Sequence, residues 1–343
     1  MLRVLHLLSS NLFSGAEQVA KSICLGLRTE FEFAYCSPDG SIKEIIEGFG
    51  INYFPLTSMN RGEIAKVVRE YNPHIIHAHD YRASVMAASL CTRAKIVSHL
   101  HSNYPWARHV NVNTCLFSAA LIRFDSVFVV SNSVIDEFVF SSLLGKKAAI
   151  LGNVVDITQI RLLAGKSKVE KCDLLFVGRL TEPKDPLSFI RLTAALKAEY
   201  SEISAIMIGT GEFEDDCRQL VQDLGIEENV RLLGFISNPY PFIDQAQILV
   251  VPSKWEGFGL VAMEAMVLGT PVLCSPVGGL VKLVKNGEGG FQCQTFGQFI
   301  ERATMLLENH HLWEIQSRKG RERGALLADW GGFLDKIRHS YLH

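Results

Sequence analysis

The stretch from Gln247 to Leu273 constrains the fold more than any other part of the chain. It opens with Gln247-Ile248-Leu249-Val250-Val251-Pro252, an apolar, partly β-branched run of the kind buried on both faces of a parallel sheet. The turn Trp255-Glu256-Gly257-Phe258-Gly259 follows, and Leu260 to Leu268 is then helix-prone until Gly269 stops it. Thr270-Pro271-Val272-Leu273 begins another strand. Strand, glycine-rich turn, helix and strand make a crossover unit, which requires a parallel sheet covered by helices. Such a turn brings a helix N-terminus to the sheet's carboxyl edge, where backbone N–H groups and a positive dipole end suit a phosphate or a sugar. Glu256 lies in the turn and Glu264 in the first turns of the helix, so both carboxylates can face one crevice. Beside an anion site a carboxylate repels the anion, which leaves it the task of accepting hydrogen bonds from hydroxyls. A ligand with both phosphates and hydroxyls is a nucleotide sugar. Spacing alone would make the two glutamates ordinary solvated helix charges, so the whole phrase carries the weight.

The same alternation runs through the chain and favours α/β architecture with parallel sheets. Candidate strands in the first half are Arg3–Leu8, Phe31–Cys36, Asn52–Pro55, His74–Ala78, Lys95–His99, Ser126–Val130 and Ala148–Leu151. Helices are expected between them, for example Ala16–Leu27, Gly62–Tyr71 and Ser84–Thr92. In the second half the candidates are Cys172–Val177, Ser204–Ile208, Val230–Leu233, Gln247–Val251, Pro271–Cys274 and Gly290–Cys293. The stretch Asp156 to Lys171 turns polar and lysine-rich, so the expected division is 1–165 and 166–326.

A chain of 343 residues is long enough for two cores. A net charge of −2 argues against general nucleic-acid binding, which needs a concentrated basic surface. The charge is unevenly spread: 15 Lys/Arg against 13 Asp/Glu in residues 1–165 leaves 19 against 23 beyond. A first half at +2 and a second at −4 would suit an N-terminal half that meets an anionic acceptor or a membrane surface. The eight cysteines form no Cys-x-x-Cys pair, which gives neither a zinc nor a redox motif and reads as free buried thiols in a reducing cytosol. Met1 to Leu8 is too short for a signal peptide, and no apolar run approaches the roughly 20 residues that span a bilayer. A cytoplasmic protein is expected, with peripheral association at the inner face of a membrane left open.

The phrase around Glu256 and Glu264, with Pro252-Ser253 before it and Gly269-Thr270-Pro271-Val272 after it, resembles the signature of retaining GT-B glycosyltransferases, specifically glycosyltransferase family 4 (group 1). Other matches extend the resemblance over most of the chain. It implies the GT-B fold: two Rossmann-like domains, the first for the acceptor and the second for the nucleotide-sugar donor. It also implies that the terminal helix, 327–343, packs back on the first domain, so that Trp330 and Phe333 would lie there.

By that resemblance, Arg179 and Lys184, after Phe176-Val177-Gly178, hold the donor's diphosphate, a task suited to a guanidinium fork and an ammonium point charge. Asp185 stands where the family more often has glycine. Gly209 and Gly211 resemble the turn that lines the nucleotide pocket, and Leu233 the segment whose backbone reads the base. As a nicotinamide fingerprint, Gly209-Thr210-Gly211 lacks its third glycine. The backbone from Gly257 through Phe258 and Gly259 to Leu260 would add amides to the diphosphate. Glu264 would accept from ribose hydroxyls and Glu256 from the donor sugar. Ser14-Gly15 gives the first loop one glycine where the family often has two, with Gly15 the expected approach to the donor phosphate. Asn153-Val154-Val155-Asp156 resembles the family's Asn-Gly-Val-Asp before the interdomain linker.

Histidines gather at His74, His77, His79, His99 and His101. His77-Ala78-His79-Asp80 does not meet the metallohydrolase order His-x-His-x-Asp-His and reads as a strand, so no metal is expected. His101 matches the family's histidine that faces the donor sugar near the scissile bond. Tyr104-Pro105-Trp106-Ala107-Arg108-His109 and the apolar run to Phe124 admit either an acceptor- or membrane-facing element or a core helix.

The expected activity is metal-independent, retaining transfer of a hexosyl group, with a UDP-sugar favoured as donor and no cofactor beyond this co-substrate. The acceptor would be a saccharide, a lipid-linked precursor or a small molecule such as an aminocyclitol. A nucleotide-sugar 2-epimerase shares the fold, and a non-catalytic nucleotide-sugar-binding subunit is the non-enzyme alternative. Against the first stands the lack of a second pair of acid/base carboxylates. Against the second stands the intact set Glu256, Glu264, Arg179, Lys184 and His101.

Overall fold

The computed structural model describes residues 1–343. It divides into two compact units: residues 1–153 with 331–343, and residues 154–330. The first unit holds a seven-stranded sheet in the order β3-β2-β1-β4-β5-β6-β7. Its strands are β1 (Leu2–Leu7), β2 (Phe31–Pro38), β3 (Asn52–Leu56), β4 (Ile75–Ala78), β5 (Lys95–Leu100), β6 (Ser126–Val129) and β7 (Ala148–Ile150). The second unit holds six strands in the order β10-β9-β8-β11-β12-β13. They are β8 (Cys172–Val177), β9 (Ala205–Ile208), β10 (Val230–Leu232), β11 (Ala246–Val251), β12 (Val272–Cys274) and β13 (Gly290–Gln292). Every pairing is parallel. All thirteen strands fall on the runs expected from sequence.

The second sheet is buried on both faces, which is why its strands read as continuous apolar runs. Alternate residues feed opposite cores: Ile206, Ile208, Leu249 and Val251 enter one, and Ala205, Met207, Ile248 and Val250 the other. In each sheet the chain order reverses beside the first strand, between β1 and β4 and again between β8 and β11. Loops leaving the two strands at such a point turn in opposite directions and open a crevice at their carboxyl ends.

The division falls at Asn153, twelve residues before the expected boundary at 165. The polar stretch misled because its first part is the helix Ile157–Ala164, whose Ile160 and Ala164 are buried in the second unit's core. The terminal helix Trp330–Leu342 belongs to the first unit from Gly331 onward, and Trp330 closes the second. Within the first unit, that helix buries Phe333, Ile337 and Tyr341. The helix expected at Ser84–Thr92 runs instead from Tyr81 to Ala88, because the Asp80 carboxylate accepts from the Ala83 amide at 2.7 Å and caps it there. Six cysteines are buried, but Cys91 and Cys115 are exposed. After Tyr104 the chain forms a helix at Val112–Ala120 that buries Phe117 and leaves Val112 and Leu116 exposed.

Candidate functional site

In the second unit, the crevice between β8 and β11 collects most of the residues singled out from sequence. The loop after β8 carries Arg179 and Lys184, and the loop after β11 carries Glu256 and Gly257 to Gly259. The Lys254 amide donates to the Pro183 carbonyl at 2.9 Å and binds the two loops together. The Lys184 ammonium pairs with the Glu256 carboxylate. Both side chains are largely shielded, at 23% and 12% exposure, so their charges are only weakly screened by water. Arg179 is exposed and enters no ion pair, which leaves its guanidinium fork available to an anion.

Gly259 sits at φ +94° and starts the helix Leu260–Leu268, with no side chain capping the first turn. The first intrahelical bond runs from the Met263 amide to the Gly259 carbonyl at 3.1 Å, so the amides of Leu260, Val261 and Ala262 have no partner within the helix. Glu264 is the one ionisable residue of that helix and is 8% exposed. The Tyr240 hydroxyl donates to its Oε1 at 3.1 Å. Burial and the Glu264 charge together hold the Tyr240 hydroxyl far above its usual pKa, so it remains a donor.

Sequence reasoning missed Tyr240, and it missed the pair Gly278-Gly279. A Cβ on Gly278 would lie 1.6 Å from the Glu256 carbonyl oxygen, and one on Gly279 would lie 2.5 Å from the Phe258 Cα. The Gly279 amide donates to that same Glu256 carbonyl at 3.3 Å. The shape of the Glu256–Gly259 turn therefore depends on two glycines about twenty positions later, for which the Gly-Gly dipeptide was the available signal.

Gly209 and Gly211 follow β9. A Cβ on Gly209 would meet the Gly178 carbonyl oxygen at 1.9 Å, and one on Gly211 the Leu180 carbonyl oxygen at 2.3 Å. The two loops cross backbone to backbone, and the Leu180 amide donates to Thr210 at 2.9 Å. The glycine pair thus positions the Arg179 loop, whatever its own contact with a ligand. Leu233 follows β10, its amide held by the Met207 carbonyl at 2.9 Å.

In the first unit, Gly15 opens the helix Gly15–Leu27. The Ser14 amide, a candidate phosphate donor, is taken by Glu17 Oε2 at 3.0 Å, and the Ser14 hydroxyl also donates to that oxygen. His101 lies just beyond β5 and is 9% exposed. Because β1, β4 and β5 are neighbours, His6, His77, His79, His99 and His101 come together on one face of the sheet. His6 Nδ1 is 2.6 Å from His79 Nε2, and His79 Nδ1 is 2.9 Å from His101 Nε2. His77 Nδ1 is 2.7 Å from the Tyr341 hydroxyl. Burial pushes His6 and His101 down to about 3, with the Asn153 side chain opposing the shift at His101. Burial first, then neighbouring imidazoles, holds His77, His79 and His99 well below the ordinary value. All five are neutral at pH 7. Two overlapping triplets, His6-His77-His79 and His79-His99-His101, bring ring nitrogens within 4.8 Å of one another. The rings of His79 and His101 are nearly parallel, 13° apart.

Two family descriptions match the chain: "Glycosyltransferase Family 4" over residues 13–159 and "Glycosyl transferases group 1" over residues 164–323. The chain belongs to the group 1, family 4 glycosyltransferases. Its fold is GT-B: over 99% of both chains it is similar to Anabaena HepE crystallised with UDP and glucose, with a TM-score of 0.84 and 22% identity. An uncharacterised glycosyltransferase of Methanocaldococcus jannaschii is 26% identical over 62% of this chain and 57% of its own length. The N-acetylgalactosamine-N,N'-diacetylbacillosaminyl-diphospho-undecaprenol 4-alpha-N-acetylgalactosaminyltransferase of Campylobacter jejuni is 31% identical over 62% of this chain and 59% of its own length. The matched part of this chain thus spans little more than half of either relative. No helix of this glycosyltransferase is long and apolar enough to cross a membrane.

Proposed function

We propose that this glycosyltransferase moves a hexosyl group from a UDP-sugar to an acceptor hydroxyl with retention of anomeric configuration and without a metal ion. The observation that carries the reading is the β8–β11 crevice. It presents an exposed guanidinium, an ammonium paired with a carboxylate, and a helix start with no side-chain cap, side by side. Arg179, Lys184 and the amides from Gly257 to Leu260 stabilise the leaving diphosphate, the task that other transferases give to a divalent cation. Glu264, steadied by Tyr240, accepts from the ribose hydroxyls. Glu256 accepts from the donor sugar and releases Lys184 to the phosphates. The anomeric C–O bond to phosphate breaks, a new bond to the acceptor oxygen forms on the same face, and the acceptor proton passes to the departing phosphate oxygen. His101 orients the sugar. Positioning and charge stabilisation supply most of the rate.

A UDP donor is supported by the HepE structures with UDP and UDP-glucose. A saccharide or lipid-linked acceptor, and hence polysaccharide or glycoconjugate synthesis, is supported by the diphospho-undecaprenol substrate in the Campylobacter jejuni relative's name. The testing experiment is a thermal-shift comparison of UDP, GDP and ADP, followed by transfer assays with the matching sugars and NMR of the product's anomeric centre. At 100 times its dissociation constant the right nucleotide stabilises by about 2.7 kcal/mol. Stabilisation by none of the three, an inverted product, or interconversion of free donor sugars without acceptor would each overturn the reading.

A further inference from the structure

The helix Val112–Ala120 is apolar on two sides. Toward the core of the first unit it buries Phe117 and Ala120. On the solvent side Val112, Cys115, Leu116 and Ala119 recur at the spacing of one helix face, and Ile122 in the 3-10 turn Leu121–Arg123 continues it. Val112 is 74% exposed and Ile122 87%, and Val110, just before the helix, is largely exposed as well. A surface helix ordinarily turns polar residues outward, so an outward apolar strip marks a contact surface. The sequence leaves this stretch open between a core helix and an outward-facing element, and the fold makes it both.

The charges around the strip indicate what covers it. From Tyr81 to Phe124 the chain carries Arg82, Arg93, Lys95, Arg108 and Arg123 and not one Asp or Glu. Arg108 stands before the helix and Arg123 at the end of the turn after it, so cations flank the strip at both ends. Lys147 joins the second end, its ammonium donating to the Leu121 carbonyl at 2.6 Å, and exposed Lys146 precedes it. Of the carboxylates that follow, Glu137 is paired with Arg108 and Asp125 accepts from the Ile96 amide at 2.7 Å, which leaves Asp136 exposed. Partly buried Trp106 is tied to the start of the helix by the Asn111 side chain, which donates to its carbonyl at 2.7 Å. Aliphatic side chains between cations, with an indole at one end, suit the boundary between acyl chains and anionic headgroups.

We propose that this strip seats the first unit on the surface of a bilayer containing anionic phospholipid. From Val112 to Ile122 it is about 15 Å long at the helical rise, about half the hydrocarbon thickness, so the helix lies in the interface and does not cross it. Val110, Val112, Leu116 and Ile122 enter the acyl boundary, while Arg123, Lys146 and Lys147 meet lipid phosphates. The inference does not depend on the donor assignments, because docking needs no turnover.

The test is flotation of the full chain with vesicles of phosphatidylcholine alone and with vesicles of an equimolar mixture of phosphatidylcholine and phosphatidylglycerol. The chain should partition into the anionic vesicles about tenfold or more better than into the neutral ones, and added salt should weaken the preference. Leu116→Asp with Ile122→Asp, both at exposed sites where the Tm should change little, should cut partitioning about tenfold or more. Arg123→Glu with Lys146→Glu should weaken binding to the anionic vesicles alone, and it keeps the test decisive if the aspartate variant does not fold. No partitioning of wild type, equal partitioning into both kinds of vesicle, or a preference unmoved by either folded double variant would overturn the proposal. So would a dimer in sedimentation that the aspartates dissociate, since a second copy of the chain would then cover the strip.

Discussion

Lys184 and Glu256, 72 positions apart, form an ion pair across the two loops that leave adjacent strands β8 and β11. The pair keeps either charge from standing alone in a shielded crevice, and it sets both side chains where a diphosphate and a sugar would meet. Because the side chains are mostly shielded, their coupling should lie between that of surface and fully buried pairs, about 1–2 kcal/mol in a double-mutant cycle. In the same variants Lys184→Ala should weaken UDP binding about tenfold or more. Glu256→Gln should leave UDP affinity nearly intact and lower turnover about a hundredfold. Equal loss of nucleotide affinity in both would remove the division of labour.

Glu264→Gln should weaken binding of the nucleoside diphosphate, because a carboxylate accepts hydroxyl bonds more strongly than an amide. The loss should be about 1.5–3 kcal/mol, or roughly tenfold to a hundredfold in Kd by calorimetry. Tyr240→Phe, which removes only the supporting bond, should cost less. Unchanged affinity in Glu264→Gln would end the ribose assignment.

Asp185 is one of two non-glycine residues with positive φ, at +47°, which accounts for the family's glycine at this position. Its carboxylate offsets the strain by accepting from the Ser188 hydroxyl at 2.7 Å. Asp185→Gly should therefore change stability by less than about 1 kcal/mol, since relief of strain is opposed by the lost bond and by a freer unfolded chain. Asp185→Val should destabilise by about 2 kcal/mol or more in urea unfolding, the β-branched side chain being the poorest fit to this backbone. A valine variant as stable as wild type would refute the strained geometry.

Transfer should survive excess EDTA. Arg179, Lys184 and the first-turn amides of the helix Leu260–Leu268 already place positive potential where the diphosphate would lie. Loss of turnover restored only by a divalent metal would contradict this and point to the histidine triplets as ligands.

The buried histidines predict acid sensitivity. Unfolded imidazoles titrate near 6.5, whereas folded His6 and His101 titrate near 3, so the unfolded chain binds more protons below pH 6.5. Stability is full above that pH and is lost progressively as the pH falls toward 3. Between pH 7 and pH 5 the loss is about 2 kcal/mol for each of the two residues, and His77, His79 and His99 add to it in the same direction. The Tm should drop by about 10 °C or more over that interval. A flat profile would mean that the imidazoles are solvated.

Local sequence determined where the strands lie, because most are short apolar runs buried within the sheets, such as Ile75–Ala78 and Ala246–Val251, and so differ sharply from the polar turns around them. It also marked Arg179, Lys184, Glu256 and Glu264 by their places at strand ends and on one helix. Strand order is not local. Only the folded sheets make β8 a neighbour of β11, which joins Lys184 to Glu256, and β1 a neighbour of β4 and β4 of β5, which turns scattered histidines into one hydrogen-bonded chain. The same holds for the glycines: Gly209 and Gly211 are required by the backbone of Gly178 to Leu180 crossing beneath them, and Gly278 by the carbonyl of Glu256. The unit boundary misled for the matching reason. Polarity on one face of Ile157–Ala164 is plain in the sequence, whereas burial of Ile160 on the other depends on a core that forms only when distant segments pack.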